Sequence, residues 1–259
     1  MNILSVLAET ARERVREYTK SASLPSVREE AERNALTGFP FERALAHEGL
    51  SVIAELKKAS PSKGLIDPVF DYLSAAEEYD KGGADAISCL TEPSRFLGSD
   101  DYLRNVTGRV SIPVLRKDFT VDVYMIYQAR VLGASAVLLI ASLLDDAMLR
   151  DFYQAADSVG LSAIFEAHDE KEIERALYAG ARIVGVNNRN LKTFSVNTSL
   201  SASLRSYVPE DVIFIAESGI MKPQDARDAY QAGADAVLVG EMLMRSGDKA
   251  GLIKAMKAI

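Results

Sequence analysis

The sequence predicts an α/β chain folded as a (β/α)8 TIM barrel with an N-terminal helical extension, and three observations carry that reading. Short aliphatic or β-branched runs recur at a spacing of about 25 residues over roughly 200 residues. Helix-compatible segments separate them. Four of the runs open on the same Gly-Ala grammar, in which a glycine closes a helix and an apolar stretch follows, as in a strand buried on both faces. An open doubly wound sheet is the competing architecture. Against it, no Gly-x-Gly-x-x-Gly fingerprint follows the first strand, and the units outnumber those such a sheet usually needs.

Taken in order, residues 1–47 read as helices that precede the barrel and cover part of it or its mouth. "MNILSVLAETARERVREY" has too short an apolar stretch for a secretory signal and mixes apolar and charged residues as an amphipathic helix does. The first strand is "SVIAEL" (51–56), with "FDYLSAAEEYDKG" as the helix after it. "GGADAISCL" (82–90) carries the second strand and "IPVLRK" (112–117) is the third, followed by the helix "VDVYMIYQARVLG". "GASAVLLI" (133–140) is the fourth, with the helix "LRDFYQAADSVG", and "LSAIFEA" (161–167) the fifth, with "DEKEIERALYAG". "GARIVGVN" (180–187), "VIFIAE" (212–217) and "GADAVLVG" (233–240) complete the set, and "KPQDARDAYQAG" lies between the last two. No low-complexity linker divides the chain, so 1–259 reads as one barrel domain with 1–47 as its extension.

Composition narrows the function classes. A chain of 259 residues that is 48% hydrophobic can bury a large core, and its net charge of -7 argues against a nucleic-acid or anionic-membrane surface. A local basic pocket for a small anionic ligand stays open. The apolar run "SAVLLIASLL" (135–144) is well short of the ~18 residues of a membrane span. The single cysteine, Cys89, cannot form an internal disulfide and reads as a small buried hydrophobe, consistent with a soluble, cytoplasmic protein.

A TIM barrel has a packed interior, so its chemistry gathers where strands end. Glu55 and Lys57 lie at the end of the first strand, Lys117 the third, Glu166 the fifth, Asn187 the sixth, and Glu217 with Ser218 the seventh. Strand parity puts Ile53, Glu55 and Lys57 on one face and Lys58 on the other. By the same parity Lys117 continues the column of Leu115, Glu166 that of Ile164, and Glu217 that of Ile215. One such charge is ordinarily a strand surfacing into water. Three carboxylates and two lysines at corresponding ends read either as an acid–base pocket or as a salt-bridge layer closing the barrel.

"ESGI" and "VGE" add Gly219, Gly240 and Glu241 at the seventh and eighth strand ends, the usual phosphate corner of this barrel. His47 and His168 share no ligand-like spacing and read as structural, with no metal site. Ser218 has no evident triad partners.

In this order, "VIAELKKASPSKG", "PVLRKDF", "VGVNNRNLKTF" and "IAESGI" closely resemble the indole-3-glycerol phosphate synthase family, with "LTEPSRFLGS" and "EAHDEKEIERAL" extending the similarity from about Leu45 to Met244. The resemblance implies a monofunctional lyase, a decarboxylase of tryptophan and hence aromatic amino acid biosynthesis that needs no cofactor. It implies ring closure of 1-(2-carboxyphenylamino)-1-deoxyribulose 5-phosphate, with loss of CO2 and water, to indole-3-glycerol phosphate. Residues matching the family's motifs are Glu55, Lys57, Lys117, Glu166, Asn187, Glu217 and Ser218. On that match Lys117 is the acid at the substrate ketone, Glu166 transfers a proton during dehydration, and Lys57 engages the anionic substrate. Ser60, Arg189, Gly219, Gly240 and Glu241 are expected on the phosphate side, and Phe96 along the anthranilate pocket.

The expected partner is this small phosphorylated substrate, for a monomer with other enzymes of the pathway as further candidates. Asn197, Ser135, Val123 and Met125 depart from the family's usual residues, and none is a proposed catalytic position. A non-catalytic binding barrel and an isomerase of the same pathway are the rival readings. The "SPSKG" tail of the first motif, with Lys63 and Gly64, is expected as a mobile loop closing over substrate.

Overall fold

The Gly-Ala signal marks real helix ends. In the computed structural model, Gly83, Gly133, Gly180 and Gly233 all have φ between 85° and 97°, the left-handed region that glycine enters without strain. They follow helices α4 (Tyr72–Gly82), α6 (Val123–Val131), α8 (Glu170–Tyr178) and α10 (Pro223–Gln231), and each delivers the chain into a strand. The structure describes residues 3–190 and 193–258, so Leu191 and Lys192 of the "VGVNNRNLKTF" motif and terminal residues 1, 2 and 259 lie outside the described residues.

Eight parallel strands close the barrel: β1 (Ser51–Leu56), β4 (Ala86–Leu90), β5 (Val114–Lys117), β6 (Ala136–Ile140), β7 (Ser162–Ala167), β8 (Ile183–Asn187), β9 (Ile213–Glu217) and β10 (Ala236–Val239). Each pairs with its sequence neighbours among these, and β1 closes the ring against β10. All eight expected strands are present. The third starts two residues later than the expected 112, because Pro113 has no N–H to offer a ladder.

The remaining helices around the barrel are α5 (Asp100–Thr107), α7 (Asp146–Ser158), α9 (Ser199–Leu204), α11 (Glu241–Arg245) and α12 (Lys249–Lys257). Ser99, Asp122, Asp145 and Asp169 cap α5, α6, α7 and α8 by accepting from backbone N–H groups of the first turn. Helix α5 was not anticipated, although Ser99 followed by Asp100 and Asp101 is a helix-start signal.

Ahead of the barrel stand α1 (Ile3–Ser21), α2 (Leu24–Arg33) and α3 (Pro40–Leu45). Leu4, Leu7, Ala8, Ala11 and Val15 form the buried stripe of α1 at helical spacing. Arg14, on the same helix, donates two hydrogen bonds to Asp118, at 2.9 and 2.7 Å. Tyr18 donates to Asp100 at 2.7 Å. The extension is thereby fastened to the residue that follows Lys117. No helix among the described residues is long and apolar enough to cross a membrane.

Candidate active site at the barrel mouth

Register brings the charged strand ends into one ring. Glu55 lies opposite Ser88, Lys117 opposite Leu90, Glu166 between Ile140 and Gly185, and Glu217 between Asn187 and Leu238. Their side chains line a pocket of about 1030 Å³, counted to its open mouth, with Leu90, Leu138, Ile140 and Leu238 as apolar walls. That is the size of a small-molecule site.

At the centre, the Lys117 ammonium lies 3.2 Å from Glu166 Oε2 and 3.4 Å from Glu217 Oε2. Both carboxylates are buried, at 2% side-chain exposure, where a charge persists only if compensated. Burial opposes the charge of Lys117, but Glu217, Glu166 and Glu55 outweigh it and raise its proton affinity, so the lysine is protonated at neutral pH. Burial likewise works against ionised Glu166, yet Lys117 and His168 together hold its carboxyl below the usual range. Glu217 goes the other way. Burial first, then the nearby Glu166 and Glu55, push it up to about 7 against the pull of Lys117. One neighbour is thus an ionised base and the other a carboxyl that holds its proton near neutrality.

Two glycines make room for this set. A Cβ on Gly185 would collide with Glu217 Oε1, and one on Gly240 would sit 2.6 Å from Glu55 Oε1 and 3.1 Å from Lys57 Nζ. Gly240 was expected to let a phosphate approach the backbone; its lack of a side chain also accommodates the Glu55–Lys57 ion pair. Ser88 donates to the other Glu55 oxygen at 3.4 Å.

The opposite wall is held by Asn187, whose Oδ1 accepts from the Ser218 hydroxyl at 2.9 Å and from the Arg189 N–H at 3.0 Å. Ser218 and Gly219 both adopt positive φ, 65° and 92°. A non-glycine residue there stores of the order of 1–3 kcal/mol of strain, which a functional turn retains. Arg189 donates to Ser62 at 3.3 Å and to the Phe194 carbonyl at 3.1 Å, joining the loop after β1 to the loop after β8. That first loop, expected as a mobile lid, contains an antiparallel hairpin of β2 (Ala59–Ser60) and β3 (Gly64–Leu65). Gly64 takes φ of 64° at its turn, and Lys63 reaches within 3.6 Å of Glu241.

Every residue proposed from sequence for catalysis or binding lines this pocket, including Ser60, Phe96, Gly219 and Glu241. Phe96 faces Phe119 across 6.2 Å between ring centres, and Phe119, in the quoted "RKDF", had not been singled out. His168, expected as a structural residue, also comes near Glu166. Its Nε2 lies 3.7 Å from Glu166 Oε1 because the strand ends one residue after Glu166 and the turn into α8 carries the ring back. An "E-x-H" at a strand end was its only signal.

A family model described as indole-3-glycerol phosphate synthase matches residues 4–256. Among curated proteins, the indole-3-glycerol phosphate synthase of Ruminiclostridium cellulolyticum is 52% identical over 247 residues, covering 95% of each chain. That of Lachnoclostridium phytofermentans is 44% identical over 269 residues, covering 99% of each. Solved structures with this fold include a thiamine phosphate pyrophosphorylase from Pyrococcus furiosus, with a TM-score of 0.59 at 15% identity over 80% of this chain and 93% of that one. At that identity the likeness speaks for the barrel alone.

Proposed function

This chain belongs to the indole-3-glycerol phosphate synthase family, and from that premise we propose how its barrel-mouth residues share the work. The activity is the decarboxylating, dehydrating ring closure of 1-(2-carboxyphenylamino)-1-deoxyribulose 5-phosphate to indole-3-glycerol phosphate in tryptophan biosynthesis. The observation that carries the assignment of roles is a protonated Lys117 held between two buried carboxylates of opposite proton affinity.

In ring closure, the aromatic carbon that bears the substrate carboxylate bonds to the ketone carbon. The carbonyl electrons move to oxygen, which takes a proton from Lys117. The carbon–carboxylate bond then breaks, CO2 leaves, and its electron pair restores the aromatic ring. In dehydration, the hydroxyl takes a proton from Lys57 and leaves as water, while the adjacent ring carbon gives its proton to Glu166. Lys57, beside Glu55 and 21% exposed, meets the anionic substrate. Asn187, Ser218 and Glu217 fix the geometry, an effect worth several kcal/mol of barrier. Phe96 and Phe119 border the aromatic ring from one side, and Gly219, Gly240, Ser60, Arg189 and Glu241 form the phosphate end.

In this reading the chain is one barrel domain with residues 1–47 as its extension, a cytoplasmic monomer whose further partners are other enzymes of the pathway. The test is formation of indole product from the ribulose phosphate by purified protein, without added metal or cofactor. Lys117→Ala is expected to lose about 10²–10⁴-fold in turnover with its circular dichroism intact. Binding of anthranilate and phosphate analogues without any product would leave a binding barrel instead.

A further inference from the structure

Behind the pocket wall at Glu166 lies a pair of buried atoms that the roles above leave unused. Glu166 gives Oε2 to Lys117, while its Oε1 and the Nε2 of His168, 3.7 Å apart, are both buried without a hydrogen-bond partner. A buried polar atom without a partner is costly. Two of them facing each other suggest one interaction that is poised rather than absent.

The other side of the imidazole is fixed. Glu172, in the first turn of α8, accepts from the His168 backbone N–H at 2.8 Å and from Nδ1 at 3.2 Å. With Nδ1 protonated, a neutral ring would point its Nε2 lone pair at a carboxylate oxygen, which is repulsive. A ring protonated on both nitrogens turns both contacts attractive. The charged groups acting on His168 are Glu172 from α8, Glu166 from the end of β7 and Glu217 from β9, all acidic. Burial opposes protonation, yet these carboxylates raise the proton affinity of the ring. Lys117 pairs with the other oxygen of Glu166, Oε2, at 3.2 Å.

We infer that His168 is a positioning residue for the reaction: as an imidazolium anchored by Glu172, it engages Glu166 Oε1, so that Oε2 alone serves Lys117 and the substrate. The inference rests on the reaction proposed above and adds a residue to it. Glu166 becomes the middle of an alternating row, Glu172, His168, Glu166 and Lys117. A carboxylate held at one oxygen has a fixed direction for the other, which proton transfer from a ring carbon requires.

The ring itself can be followed by NMR in the ligand-free protein. The chain has two histidines, so His168→Gln assigns the resonance directly. His168 is expected to titrate above the ordinary ~6.5 of histidine, and Glu166→Gln is expected to bring it down. A titration unmoved by Glu166→Gln overturns the inference, whether or not the protein turns over substrate.

In the indole-forming assay, His168→Gln is expected to lower kcat at least tenfold, part of the ~10²–10⁴ that an acid–base group supplies. KM stays near the wild-type value. Because the imidazolium lowers the proton affinity of Glu166, its loss moves the acidic limb of the kcat profile to higher pH. Glu172→Gln, which keeps the ring and loosens its anchor, shifts kcat and the limb in the same direction by less. Wild-type-like kcat and pH profile in both variants, with active wild type, would mean that His168 only packs. An inactive wild type with the expected NMR titration would instead count against the reaction and leave the Glu166–His168 contact standing.

Discussion

Glu217→Gln is expected to make the protein more stable above neutrality while impairing the reaction. The Glu217 side chain is 2% exposed, and burial, aided by Glu166 and Glu55, pushes its carboxyl from 4.5 to about 7. A folded-state value above the unfolded one means that the native state binds this proton more tightly. The stabilisation is full below about pH 4.5 and is lost as pH rises through about 7. A tenfold change in proton affinity is about 1.4 kcal/mol, so ionised Glu217 costs up to about 3 kcal/mol above that range.

Glutamine has the same shape and no charge, so it avoids that cost. The attraction to Lys117 at 3.4 Å is already contained in that net shift, and Glu166 remains at 3.2 Å to compensate the lysine. A gain of up to about 3 kcal/mol at pH 8.5, mostly gone by pH 5, is expected from that shift. Urea unfolding at both pH values measures it, as a higher midpoint at unchanged slope. A variant less stable than wild type at pH 8.5, or one whose difference ignores pH, refutes the reasoning. The same substitution should lower kcat, because Glu217 helps hold Lys117.

Two further substitutions probe the supports of the site. Gly185→Ala should fit the β8 backbone, yet its Cβ must displace the Glu217 carboxylate; kcat is expected to fall at least about tenfold with little change in melting temperature, and unaltered kcat would show that Glu217 need not lie there. Arg14→Ala removes both hydrogen bonds to Asp118, a buried carboxylate that also accepts from Thr91 at 2.5 Å. Breaking a buried pair from one side costs about 3–5 kcal/mol; a loss below 1 kcal/mol in urea unfolding at pH 7 would mean that the N-terminal helix is not fastened through this pair.

The parts legible in the sequence are those governed by local periodicity. Parity along each strand assigned Lys117, Glu166 and Glu217 to the inward face, and the glycines after helical runs announced β4, β6, β8 and β10 before any contact was known. The residues that escaped act across register. Gly185 looks like any small residue in an apolar strand until β9 is laid beside β8 and Glu217 is seen filling the space where a Cβ would be. Arg14 and Asp118 are 104 positions apart, and no spacing rule links them.

The nearness of His168 to Glu166 is hidden in the sequence for a related reason. Its neighbours in the sequence, Asp169 and Glu170, suggest a solvated helix start, and Asp169 is indeed the cap of α8. The cap itself turns the chain so that the preceding imidazole looks back at Glu166. A helix start and an active-site wall are here one stretch of backbone, and only the direction of the turn separates the two readings. The charges at the end of the first strand show the same dependence. Glu55 and Lys57 resemble a strand surfacing into water until Gly240, across the barrel seam from β1, is seen to leave the space that their ion pair occupies. The polar ring therefore depends on glycines as well as on charges, because Glu55 and Glu217 each need both a cation to compensate them and a missing side chain, at Gly240 and Gly185, to admit them.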